Sequence, residues 1–271
     1  MPDRLEISGL TLRVRDRVLV QDASFQLRAG EVLALVGASG CGKTLTALSV
    51  LGMVDLQPGV VAADLVVQVG DEVHRPWQGV LGADQRRRDQ AFAPVRGRLV
   101  GYLPQDARNS LDPLLRVGRQ VRDAAALRTG NADEDPRPWL RRAGLPDPER
   151  VEQLFPHELS GGMAQRVAIA QALARGSRFL LADEPTTGLD PTVQRGILDE
   201  IRTLARDGIG VLFITHDLRI LPGLADAVLV MENGCVVERT TPLELQSGEL
   251  TSAPARRLVE ATRRVAAGRL G

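Results

Sequence analysis

The chain has 271 residues, enough for one large or two modest domains with a real core. Hydrophobic residues make up 44% and charged residues 25%, an ordinary globular make-up that excludes a disordered or fibrous chain. Formal net charge is zero, which excludes an overall basic surface for nucleic acid.

No apolar run approaches the ~20 residues that cross a bilayer. The first residues, Met1 to Glu6, include acids and lack the apolar core of a signal peptide. Work at a membrane is therefore expected to go through a partner. Cys41 and Cys235 form neither a disulfide framework nor a zinc pattern and are read as reduced thiols.

In chain order, Leu5 to Val14 and Ala23 to Leu27 read as strands. Val32 to Val36 is a continuous apolar run, as in a strand buried on both faces. It enters a glycine-rich loop, and Thr44 to Met53 then reads as a helix. Gln57 to Arg98 reads as a loose stretch of short alternating segments, with Arg86-Arg87-Arg88 as a solvated face. A strand follows at Leu99 to Leu103. From Asp106 to about Ala174 the pattern is helical, interrupted by Pro/Asp/Gly-rich turns. Strands return at Phe179 to Ala182 and Val211 to Ile214. Between them Asp190 and Pro191 stand as N-cap and first residue of a helix. Strand-like segments Ala227 to Met231 and Cys235 to Glu238 follow. Pro254 to Gly271 reads as an arginine-rich amphipathic helix, expected to pack on its own subunit or a partner, with binding to a membrane surface as the lesser alternative. The expected architecture is α/β: a mostly parallel nucleotide-binding core (1–105 and 175–240), a helical insertion (106–174) and a tail (241–271). No internal repeat is visible.

Of the 34 Lys and Arg residues, Lys43 is the only lysine. It sits in Gly37-Ala38-Ser39-Gly40-Cys41-Gly42-Lys43-Thr44, a GxxxxGK[ST] phosphate-binding loop. A loop wrapped round phosphates has room for a compact ammonium and none for a guanidinium fork. Strand, glycine loop and helix are the context this motif requires, so the chain is read as binding a nucleoside triphosphate. Cys41 fills a permissive position of the loop.

Four further features narrow this reading. Phe179 to Ala182 is an apolar strand ending in Asp183 and Glu184. Attack on a γ-phosphate needs Mg²⁺ and an oriented water, tasks that suit Asp183 and Glu184 respectively. Leu159-Ser160-Gly161-Gly162 starts a helix capped by Ser160, whose free N–H groups and positive end make an anion site. Two phosphate-grade sites in one chain imply that two subunits share nucleotide across an interface. Gln105 follows the strand Leu99 to Leu103, and His216 lies in Ile214-Thr215-His216-Asp217.

This order of motifs, with Gly188-Leu189-Asp190, resembles the ATP-binding cassette ATPases over nearly the whole chain. The resemblance implies a P-loop NTPase core with an N-terminal antiparallel β region and an inserted helical subdomain. It implies ATP and Mg²⁺ as cofactors. Lys43 and the loop amides would hold the β- and γ-phosphates, Thr44 would ligate Mg²⁺ and Asp183 would support it. Glu184 would be the catalytic carboxylate, His216 would steady the γ-phosphate, and Gln105 would contact metal and water and sense the transport partner. Ser160, Gly161 and Gly162 would complete the opposite subunit's site, with Asp190 bridging the interface.

Met163 after Pro156-His157-Glu158-Leu159, and Asn109-Ser110-Leu111-Asp112-Pro113 after Gln105, resemble the peptide/nickel importer group. That implies integral permease subunits, a second ATPase subunit (copy or paralogue), an extracytoplasmic solute-binding protein indirectly, and no nucleic acid. It places the chain at the cytoplasmic face of the inner membrane. Ending at Gly271 without a cysteine cluster, the chain is similar to the shorter nickel or metal-chelate subunits of that group. Alternatives are an exporter motor, or a soluble cassette ATPase of DNA maintenance or translation. The stretch from Lys43 to Ser160 has no room for the long coiled coil of the DNA-maintenance proteins. Translation cassettes carry two sets of motifs, where this chain has one. Leu12 to Arg17 lacks the aromatic that stacks on adenine in many cassettes, so an arginine is expected to stack there instead and GTP to be tolerated.

Overall fold

The computed structural model describes residues 2–268, with side chains as far as residue 262. Strands β1 (Arg4–Val14) and β2 (Arg17–Arg28) form a tight hairpin, and β4 (Pro58–Val69) pairs antiparallel with β1 on its other side. With β5 (Glu72–His74) they make a four-stranded sheet in the order β2-β1-β4-β5. The stretch Gln57 to Arg98 is thus more regular than its sequence indicates: it also holds helix α2 (Gln85–Phe92). Local β propensity in β4 is diluted by Gly59 and Ala62-Ala63-Asp64, and pairing with β1 decides the conformation.

The second sheet contains β3 (Val32–Gly37), β6 (Val100–Leu103), β7 (Phe179–Asp183), β8 (Gly210–Thr215), β9 (Ala227–Glu232) and β10 (Cys235–Thr240). Its order is β10-β9-β3-β8-β7-β6, parallel throughout except for β10 against β9. Strands β3, β7 and β8 are buried along their whole length, which explains their uninterrupted apolar runs.

Helices connect the strands. Helix α1 (Lys43–Val50) follows β3, ending three residues before the expected Met53. Between β6 and β7 lie α3 (Val117–Thr129), α4 (Arg137–Arg142), α5 (Pro148–Val151) and α6 (Gly161–Arg175). Helix α7 (Pro191–Arg206) joins β7 to β8, and α8 (Pro242–Ser247) and α9 (Ala253–Gly268) close the described chain. Residues 269–271 of the expected tail helix lie outside the described residues.

Alternation along the strands divides the core. Leu33, Leu35, Leu181, Leu212 and Ile214 face α1 and the antiparallel sheet. Leu180, Ala182, Val211 and Phe213 face the helical layer, where α6 supplies Val167, Ile169 and Leu173. Ala34, Val36, Val228 and Val230 pack with Ala255 and Val259 of α9, so the described part of the tail helix covers the sheet of its own subunit.

The arginine run is not wholly solvated. Arg86 and Arg87 are exposed, but Arg88 is buried and donates from Nη1 to the Val54 carbonyl at 3.1 Å. Nearby, Arg96 donates to the carbonyls of Leu51 (2.5 Å) and Gly52 (3.0 Å) and to Asp89 Oδ1 (2.6 Å). A cation thus meets the carbonyl-rich end of the phosphate-loop helix, where the helix dipole favours it. Arg96→Ala is expected to destabilise the fold by about 2 kcal/mol, since hydrogen bonds to charged groups exceed neutral ones. The measurement is a lowered urea midpoint at unchanged slope.

Candidate active site

The carboxyl ends of β3, β6, β7 and β8 converge on a cavity of about 450 Å³. Ser39, Gly40, Gly42, Lys43, Thr44, Gln105, Glu184, Thr187 and His216 line it, with Leu45. Ligand crevices of open α/β sheets form at this end of the strands. The phosphate loop is shaped by close packing: a Cβ on Gly37 would lie 2.2 Å from the Met231 carbonyl oxygen. Gly42 caps α1 at φ 110°, a left-handed conformation that glycine adopts without strain. Lys43 is 6% exposed, and its Nζ donates to the carbonyls of Gly37 and Ala38, each at 3.0 Å. Its neighbour Cys41 is not in a permissive slot. The thiol is buried inside the loop, its Sγ 3.9 Å from Lys43 Nζ, and burial pushes its pKa up against the pull of that ammonium.

Asp183 ends β7 and is 4% exposed. Thr44 Oγ1 donates to its Oδ1 at 3.2 Å, and the Tyr102 hydroxyl donates to its Oδ2 at 3.1 Å. Burial pushes the Asp183 carboxyl above its ordinary pKa, and the charge of Glu184 adds to the rise. The Thr44 and Tyr102 hydrogen bonds and Lys43 oppose it. Burial and the adjacent carboxylate hold the Tyr102 phenol protonated well beyond its usual range, so it acts as a donor.

Glu184 adopts φ 47°, rare for a residue with a side chain, and its N–H donates to the Ile214 carbonyl at 3.0 Å. Strain of this kind survives where surrounding contacts over-determine the backbone, as functional sites often do. Thr187 Oγ1 donates to Glu184 Oε2 at 3.0 Å, and His216 Nδ1 lies 3.1 Å from Glu184 Oε1. Gln105 is exposed beside this pair. Gln105 and Thr187 also line an adjoining cavity of about 630 Å³, which reaches Gly161 and Gln165 at the start of α6.

Ser160 caps α6, its Oγ accepting from the Met163 N–H at 3.2 Å, and Asp190 caps α7 by accepting from Thr192 and Val193 at 3.0 Å each. Gly162 is required where the helices meet, because a Cβ there would lie 2.3 Å from Val193 Cγ1. Among the described residues lining the phosphate-loop cavity, Ser160, Gly161, Gly162 and Asp190 do not appear. Arg13, Arg15 and Arg17 of the first hairpin do not line it either.

Three contacts escaped sequence reading: Tyr102 to Asp183, Thr187 to Glu184, and Arg108, whose guanidinium donates to the Leu159 carbonyl just before Ser160. Tyr102 is the only tyrosine of the chain and stands three residues before Gln105, a signal that was available. The others depend on how loops meet in space.

For Mg²⁺ the donor chemistry fits. Among the described residues no three His, Cys, Asp or Glu gather into a self-sufficient metal cage. Thr44 and Asp183 present paired oxygens beside the phosphate loop, and Mg²⁺ typically binds one or two carboxylates together with substrate phosphates.

A glycine loop between β3 and α1, carrying Lys43 opposite a strand-end acidic pair, defines a P-loop nucleoside triphosphatase. Residues 20–187 match the ABC transporter family, and the chain belongs to that family as an ATP-binding, ATP-hydrolysing subunit. It is 37% identical over 243 residues to a putative peptide import ATP-binding protein of Brucella abortus (strain 2308), covering 86% of this chain and 70% of that one. It is also 37% identical over 231 residues to the oligopeptide transport ATP-binding protein OppD of Lactococcus lactis subsp. cremoris (strain SK11), covering 83% and 65%. Among solved structures, cbiO1 from Clostridium perfringens, part of the ABC transporter complex cbiONQ, shares the fold with a TM-score of 0.73. Sequence identity is 24%, and 92% of each chain is covered.

Proposed function

We propose that this chain is the ATP-hydrolysing motor of a membrane importer for peptides, working as a dimer that clamps nucleotide between two subunits. The observation that carries this reading is the meeting of Lys43, Thr44, Asp183, Glu184, His216 and Gln105 around one cleft, with the Ser160-capped helix end outside it. In this reading Lys43 and the loop amides from Gly37 to Thr44 bind the β- and γ-phosphates. Thr44 and Asp183 would hold Mg²⁺, which when bound would offset the negative charge of the phosphates. Glu184 takes a proton from the attacking water. Thr187 and His216 each engage one of its carboxylate oxygens, so its orientation is set before nucleotide arrives. His216 also steadies the γ-phosphate, and Gln105 links metal and water to the surface that meets the permease.

Ser160, Gly161 and Gly162 would close the site of the opposite subunit, with Asp190 at the interface. Residues 106–174, all helix and turn between β6 and β7, would form the lobe that carries Ser160 towards its partner. Among the described residues no helix is long and apolar enough to cross a membrane, so integral permease subunits would supply the pore and hold this chain at the cytoplasmic face. An extracytoplasmic solute-binding protein would deliver cargo from the other side.

Peptide is preferred over nickel or a metal chelate because both sequence relatives are named for peptide or oligopeptide. The test is ATP turnover by the chain purified with its permease and reconstituted with the solute-binding protein. Peptide-loaded binding protein is expected to stimulate turnover. Stimulation by nickel chelates alone would overturn the cargo, and failure to co-purify with any integral membrane protein would overturn the motor reading.

A further inference from the structure

We infer that Tyr102 is a positioning residue for Asp183, its hydroxyl holding Oδ2 so that Oδ1 is turned to Thr44 and to the cation that accompanies the nucleotide. The inference rests on the proposed role of Asp183 as the cation-supporting carboxylate.

The geometry begins with strand register. Tyr102 of β6 is paired in parallel with Leu181 of β7, and the two pack in the same core cluster. Asp183 stands two residues beyond Leu181 and projects to the same face. Tyr102 is therefore one strand away and one repeat short of Asp183, a gap that a phenol spans and a smaller side chain does not. The hydroxyl meets Oδ2 at 3.1 Å while Thr44 Oγ1 meets Oδ1 at 3.2 Å.

The effect is to lock one orientation. A carboxylate with a single donor swings about its Cβ–Cγ bond, whereas donors on both oxygens fix the plane. Asp183 is 4% exposed, so water does not readily replace a lost donor, and an unpaired buried oxygen is costly. Loss of a group that orients a metal-binding side chain typically costs about 10–100-fold in metal affinity. Tyr102 lies on β6, the strand leading to Gln105, so the element that braces the Asp183 carboxylate of β7 also leads to the glutamine.

The test separates metal binding from nucleotide binding. A fluorescent ATP analogue is titrated against the full chain in EDTA, and then across a Mg²⁺ series. Mn²⁺ substituted for Mg²⁺ is followed by electron paramagnetic resonance. Tyr102→Phe is expected to weaken Mg²⁺ and Mn²⁺ binding by roughly tenfold, the low end for such partners, while leaving affinity in EDTA unchanged. The unchanged EDTA affinity also shows that the variant is folded. Equal Mg²⁺ dependence in Tyr102→Phe and the parent overturns the inference. So does weakening by Tyr102→Leu alone, because ring packing rather than the hydroxyl is then what matters. Asp183→Asn distinguishes the two levels. If it weakens Mg²⁺ binding where Tyr102→Phe does not, only the role of Tyr102 falls. If neither does, the reading of Asp183 falls with it.

Discussion

Glu184→Gln is expected to lower steady-state ATP turnover by at least about a hundredfold, the usual lower bound for losing a general base. ATP affinity should stay near that of the parent, because in the proposed site Lys43, Thr44 and the loop amides hold the phosphates. The replacement is nearly isosteric. Thr187 Oγ1 still has an acceptor oxygen, and His216 Nδ1 still has a polar neighbour, so the φ 47° backbone should be kept. What is lost is the ability to accept a proton. With hydrolysis stalled, the ATP-bound dimer should live longer, visible as a dimer peak in size-exclusion chromatography that the parent shows only transiently. Turnover at the parental rate would remove Glu184 from its role. A collapse of ATP affinity would show instead that its contacts to Thr187 and His216 organise the cradle.

The second large effect tests the shared site. Lys43→Ala and Ser160→Arg should each be inactive as homodimers, since every composite site then lacks one of its halves. Mixed in equal amounts, half of the dimers pair one of each, and each such dimer has one site with both halves intact. Activity should then rise above either parent, towards roughly a quarter of the unmutated level if sites act independently in a twofold dimer. Ser160 does not line the cavity around Lys43, which fits the proposal that the complementing half comes from the partner subunit. Mixtures no more active than the parents would contradict a site completed in trans.

These two experiments probe parts of the site that differ in how far they could be read from the sequence. The phosphate loop, the apolar strand before Asp183 and Glu184, the Ser160 cap and the Asp190-Pro191 helix start were all legible. Each depends on residues close together in the chain: a strand running into glycines, or a side chain capping a helix two or three residues on. The uninterrupted apolar runs of β3, β7 and β8 announced a parallel sheet covered on both faces for the same local reason.

Other features were decided only when distant segments met. Local residues left β4 ambiguous, and its pairing with β1 made it a strand. Arg88 looked like part of a solvated run, yet a carbonyl freed near the end of α1 draws it inside. Cys41 looked interchangeable until the loop closed over its thiol. The brace of Glu184 by Thr187 and His216, and that of Asp183 by Thr44 and Tyr102, require strands from four parts of the chain to end at one level. The sequence by itself determined which side chains are candidates for the chemistry and which turn or cap displays each one, because those are short-range properties of the backbone. Only the tertiary structure decided which of them touch, because parallel register between β3, β6, β7 and β8 brings together residues whose separation along the chain carries no trace of the contact.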